Sequence, residues 1–93
     1  MSAKVMDKSP AGINKIIRPM LDNKKIPLGD LQGTLKRITE EVKDATGFNA
    51  RWKREEESFY NGEITLRVKN NVICTYCIKY NVEQNLFIAT EVL

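Results

Sequence analysis

The feature that most limits what this chain can fold into is its last third, a run of β-favouring segments broken by asparagine turns. Ile64-Thr65-Leu66-Arg67-Val68-Lys69 alternates apolar and polar residues, and Val72-Ile73-Cys74-Thr75-Tyr76-Cys77-Ile78 resumes the pattern after Asn70-Asn71. Asn61-Gly62 sits one strand earlier. Asn and Gly tolerate the positive φ angles of tight hairpins, so short turns between such segments predict neighbouring antiparallel strands. Asn70-Asn71 is the predicted two-residue turn of the second hairpin.

Four strands are predicted, over about residues 48–58, 63–69, 72–80 and 86–92, and short connections order them as a meander. Two helices precede them. Ser9-Pro10 reads as an N-cap with proline at the first helical position, and Ile13, Ile16 and Ile17 follow at helical spacing. Pro19 lacks an N–H and predicts an end near Arg18. Asp22 to Pro27 reads as a loop. Leu28, Leu31, Leu35, Ile38 and Val42 then form one apolar stripe, with Asp30 as candidate N-cap and Gly47 as the stop. The expectation is an α+β fold, two N-terminal helices followed by a four-stranded antiparallel β-meander. Residues 1–8 are expected to form a flexible tail and residues 9–93 a single domain.

Apolar residues are 42% of the 93 and charged residues 29%, enough apolar content to exclude wholesale disorder. No run approaches the roughly 20 apolar residues of a membrane span, and Met1-Ser2-Ala3-Lys4 opens no signal-peptide pattern. The expected location is the cytoplasm, with no membrane contact.

Catalytic chemistry finds little to work with. The chain has no histidine, and hence no neutral-pH proton shuttle of that kind. No phosphate-binding glycine loop, dinucleotide fingerprint or nucleophile elbow is present. Cys74 and Cys77 make a C-x-x-C, but residues three apart on a strand face opposite ways and cannot share a metal or pair easily. A structural zinc site also needs four ligands. The expectation is a non-enzyme with no metal and no cofactor.

Binding is the remaining class. The net charge of +3 is concentrated in residues 1–27, with six basic residues against two acidic ones. Lys15, Arg18, Lys24 and Lys25 of that segment, with Arg51, Lys53, Arg67 and Lys69 of the strands, would serve an RNA- or DNA-binding domain. Trp52, Tyr60 and Tyr76 would supply stacking surfaces. Opposing this, Glu55 to Glu57 are expected to neutralise Arg67 by cross-strand pairing.

The preferred reading is therefore a small protein-binding module: an adaptor, inhibitor or subunit, with self-association among its options. Two surfaces are predicted for it. One is the tip of the first hairpin, Glu55, Glu56, Glu57, Phe59 and Tyr60. The other is the nearly uncharged last strand, taken as a sheet edge with Phe87 facing outward. The helix–meander order, with Phe48-Asn49-Ala50-Arg51-Trp52 at the helix-to-strand junction, resembles that of the dynein light chain family. The likeness covers those five residues and the architecture, and it assigns no functional residue.

Overall fold

Ser9 starts the first helix. Its side chain accepts a hydrogen bond from the Gly12 N–H at 3.2 Å, and Pro10 occupies the first turn, where a missing donor costs nothing. In the computed structural model, which describes residues 8–56 and 61–93, α1 runs from Pro10 to Leu21 and passes through Pro19. The helix was expected to stop at Arg18. It continues because Ile17 and Leu21 are both fully buried, and the Asp22 N–H still closes on the Arg18 carbonyl at 2.9 Å.

A three-residue strand follows, β1 (Lys25–Pro27), and then a 3-10 turn over Leu28–Asp30. Helix α2 (Leu31–Thr46) buries Leu31, Ile38 and Val42 and stops at Gly47, whose φ of 78° suits a residue without Cβ. Asp30 stands at its N-cap position but makes no side-chain capping bond there. Four strands complete the chain: β2 (Ala50–Glu56), β3 (Asn61–Val68), β4 (Asn71–Asn81) and β5 (Leu86–Glu91).

Among the described residues the sheet has five strands, not four, in the order β1-β5-β4-β3-β2, all antiparallel. The four-stranded meander is thus corrected: the predicted loop before α2 contributes β1, which pairs Lys25, Ile26 and Pro27 with Ile88, Phe87 and Leu86. Hydrogen bonds from Asn23 N–H to the Ala89 carbonyl (2.8 Å) and from Ala89 N–H to the Lys24 carbonyl (3.2 Å) extend this pairing. Strand β5 is consequently interior. Phe87 is on the core side and only 7% exposed, which overturns its placement as an outward edge residue.

Two turn assignments also shift. The positive-φ residues of the β3–β4 turn are Lys69 (52°) and Asn70 (68°), so the turn lies one residue earlier than Asn70-Asn71, and Asn71 pairs with Val68. A register shift beside Leu66 and Arg67 accommodates the change, and the Lys69 ammonium lies 3.9 Å from the centre of the Phe48 ring. Asn61 and Gly62 belong to β3, opposite Lys79 and Ile78, rather than to a turn.

One core holds the molecule together. Ile13, Ile17 and Leu21 of α1 and Leu31, Ile38 and Val42 of α2 share it with Ile64, Leu66 and Val68 of β3, Cys74, Tyr76 and Ile78 of β4, and Phe87 and Ala89 of β5. The alternation of buried residues along β3, β4 and β5 means one sheet face is covered by both helices. The intervening residues point the other way.

Candidate functional site

That second face carries the charge. Its residues on β2 are Arg51, Lys53 and Glu55, on β3 Glu63, Thr65 and Arg67, on β4 Thr75, Cys77 and Lys79, and on β5 Ile88 and Thr90. Register decides which of them meet. Arg51 lies directly opposite Arg67, and Glu55 directly opposite Glu63. Lys53 lies opposite Thr65, whose hydroxyl is 3.2 Å from that of Thr75.

The charges are therefore sorted by sign along the β2–β3 hairpin, positive at one end and negative at the other. This corrects the expected Glu–Arg cross-strand neutralisation. Like charges directly opposite each other destabilise a strand pair. Among the described residues, the ion pairs are Arg18–Glu91 and Lys53–Glu55, and neither relieves Arg51 or Arg67. Lys53 meets Glu55 at 3.5 Å with both side chains largely exposed, a contact of little energetic weight. Around Arg51, Arg67 and Lys69, with Asn49 and Asn70, lies a shallow concavity of about 280 Å³.

The aromatic residues expected beside these cations are elsewhere. Trp52 faces α2, where its indole N–H donates to the Leu35 carbonyl at 3.0 Å. Tyr76 is fully buried. Neither offers a face to a base. The basic N-terminal residues are also separated from the β2 group. Lys24 and Lys25 sit at the β1 edge, four strand spacings or roughly 19 Å from β2. Lys15 is exposed on α1, and Arg18 is engaged by Glu91. Of the predicted hairpin tip, Glu57, Phe59, Tyr60 and the Glu56 side chain lie outside the described residues.

The sheet has two edges, the three-residue β1 and the longer β2. Strand β2 spans seven residues and pairs with β3 on one side, and among the described residues no strand pairs with its outer side. An edge of this length presents a row of outward N–H and C=O groups. Its sequence, Ala50-Arg51-Trp52-Lys53-Arg54-Glu55-Glu56, is heavily charged, which is how sheets discourage indiscriminate strand addition.

Two further features lie on the covered side. Glu91 extends from β5 to α1, accepting from Arg18 Nε at 3.0 Å and Asn14 Nδ2 at 2.9 Å. The Arg18 and Asn14 hydrogen bonds hold its carboxyl below the usual carboxylate range. Beside it, burial and the Glu91 charge raise the Tyr76 phenol, and burial first, then Glu91, pushes the Cys74 thiol up to about 12. A thiol so shifted is a poor nucleophile. Cys77 lies half-buried on the opposite face, and neither cysteine is in a disulfide. The group is a clamp between α1 and the sheet.

Where the 3-10 turn leads into α2, a cleft of about 490 Å³ is lined by Leu28, Leu31, Tyr80, Phe87 and Arg54, whose guanidinium lies 5.7 Å from the Phe87 ring centre. Leu28, predicted to belong to the helical stripe, is instead 48% exposed at this cleft. The cleft is of small-ligand size but mixes few polar groups with its apolar wall.

Among the described residues no cluster of carboxylates and thiols is placed to hold a metal, and no helix is long and apolar enough to cross a membrane. No protein-family model, curated protein or solved structure matches this chain. The architecture is a small α+β domain with one sheet face covered by helices and a second, charged face on which no described element packs.

Proposed function

We propose that the chain is a small, non-enzymatic protein-binding module whose contact element is the outer edge of β2, with the charged sheet face beside it. The observation that carries this reading is the seven-residue edge, unpaired on its outer side among the described residues, set beside like-charge pairs that an outside partner would relieve. Strand addition there supplies backbone hydrogen bonds, and Arg51, Lys53 and Glu55 supply selectivity by charge. Two free thiols are compatible with the reducing cytoplasm expected for it.

A second reading, phosphate binding by a nucleic acid, is favoured by the concavity among Arg51, Arg67 and Lys69. It is the weaker of the two because Trp52 and Tyr76 face the core rather than a strand of bases.

The test is capture by the immobilised domain from an extract of cells that make it, with and without nuclease. An Arg51→Glu/Lys53→Glu variant runs alongside. Protein retained by the wild type, insensitive to nuclease and lost with the variant, is the expected result. Retention that nuclease removes would favour the phosphate reading, and retention unchanged in the variant would move the surface away from β2.

A further inference from the structure

The β2 edge is complementary to itself. We propose that two copies of the chain pair through β2, antiparallel, about a two-fold axis at Lys53, joining their sheets into one of ten strands. The inference rests on β2 being the contact element and names its partner as a second copy.

Three observations lead there. First, β2 runs from Ala50 to Glu56, and Lys53 is its central residue, so an axis at Lys53 maps these seven residues onto themselves. Second, with the axis perpendicular to the sheet, each residue meets one on the same face. Arg51 then lies opposite Glu55 of the second copy, and Glu55 opposite Arg51 of the second copy. Third, the like-charge pairs inside each chain become part of a balanced row. Across the joined sheet, the order reads Arg67, Arg51, then Glu55 and Glu63 of the second copy. Arg51 gains an opposite neighbour that the isolated hairpin does not give it, and Glu55 gains one besides Lys53, while the two exposed Lys53 ammonium groups meet at the axis.

Neighbouring registers do not match Arg51 with Glu55. An axis at Trp52 sets Arg51 against Lys53 of the second copy, twice. An axis at Arg54 pairs Lys53 with Glu55 of the second copy, twice, but it sets the two Arg54 residues against each other, leaves Arg51 without a partner among the described residues and shortens the overlap to residues 52–56. The Lys53 axis is favoured because, among the described residues, it alone gives an opposite charge to both Arg51 and Glu55, the two residues set against like charges inside the chain, and because it keeps the longest overlap.

Charge reversal tests the register as well as the dimer. In Arg51→Glu, residue 51 meets Glu55 of the second copy as a like charge. In Glu55→Arg, residue 55 meets Arg51 of the second copy in the same way. Inside each chain, however, the new residue faces an opposite charge, Arg67 or Glu63, so the monomer fold is not weakened. Sedimentation velocity from about 1 µM to about 1 mM would read the association. The wild type is expected to reach twice its 10.7 kDa mass, and each single variant to dissociate about tenfold or more readily. An equimolar mixture of the two variants should form a heterodimer, and the double variant Arg51→Glu/Glu55→Arg should dimerise again.

A wild type that stays monomeric throughout overturns self-pairing while leaving β2 open to another protein, a case the capture experiment reads separately. Dimers that persist in both single variants, or a mixture that fails to associate, overturn this register. Circular dichroism and a cooperative melt for each variant confirm that the chains compared are folded.

Discussion

At the scale of single residues, Glu91 is the polar group with the most to lose. Its carboxylate joins α1 to the last strand through Arg18 and Asn14 and is 11% exposed, while Arg18 is 49% exposed. Its folded pKa is depressed, so its contribution is fully present above the unfolded value, about 4.3, and fades as pH falls through the lower folded value. Glu91→Gln should cost about 1 kcal/mol at pH 7, a modest figure because the guanidinium is half in water. The gap should narrow below about pH 4, which urea melts at pH 7 and pH 3 would measure. Phe87 gives a second prediction. Set in the core beside Tyr80, with ring centres 5.4 Å apart, it should not tolerate a buried ammonium. Phe87→Lys should abolish the cooperative thermal transition. The sequence misplaced Phe87 because Leu86-Phe87-Ile88-Ala89 is apolar throughout. A run with no polar alternation does not say which of its faces is buried. Pairing of Tyr80 with Phe87 and of Ile78 with Ala89 decides it, and pairing is not visible in one strand alone.

At the scale of elements, the legible parts are those with a long period or a strong breaker. Helix α2 has a five-residue stripe and a glycine stop, and α1 has a serine cap followed by proline. Both were readable, although the stripe's first member, Leu28, falls outside the helix. Strand β1 was not readable, because three residues with one apolar member carry no period. Its pairing with β5 is a long-range contact that only the folded chain reveals. The β3–β4 turn shows a subtler loss. The run Lys69-Asn70-Asn71 offers two adjacent turns, and asparagine preference favours the later one. The fold takes the earlier, with Lys69 above the Phe48 ring and Val68 kept in the core. This separates two otherwise similar substitutions. Asn70→Val places a branched side chain at a φ of 68° and should cost about 1–3 kcal/mol. Asn71→Val, now at a strand position, should cost less than about 0.5 kcal/mol or nothing. Chemical denaturation of the pair, compared with the wild type, measures the difference. Equal losses would return the turn to Asn70-Asn71.

At the scale of the whole molecule, the two sheet faces divide the work: one supplies the core, and the other sorts charge along β2 and β3. The sequence showed the charges but not their sorting. A shift of two residues between β2 and β3 would have paired Arg51 with Thr65 or Lys69 and left a different surface. Arg67 distinguishes the uses of that surface because it lies one strand inside the edge. Arg67→Glu removes the repulsion with Arg51, so at low concentration the domain should gain a few tenths to about 1 kcal/mol. The gain should shrink as salt is raised. If the partner is a second copy paired through β2, the contact between Arg51 and Glu55 of the second copy survives, and association should change by no more than about threefold. If the partner is a polyphosphate chain, the same substitution reverses one of three clustered cations. Binding to a single-stranded oligonucleotide should then fall steeply, and its salt slope should decrease. Melts, sedimentation and oligonucleotide titration on this one variant therefore give a different triplet of results for each reading. Stabilisation with association intact is the triplet expected for a domain that binds protein through the edge of its own sheet.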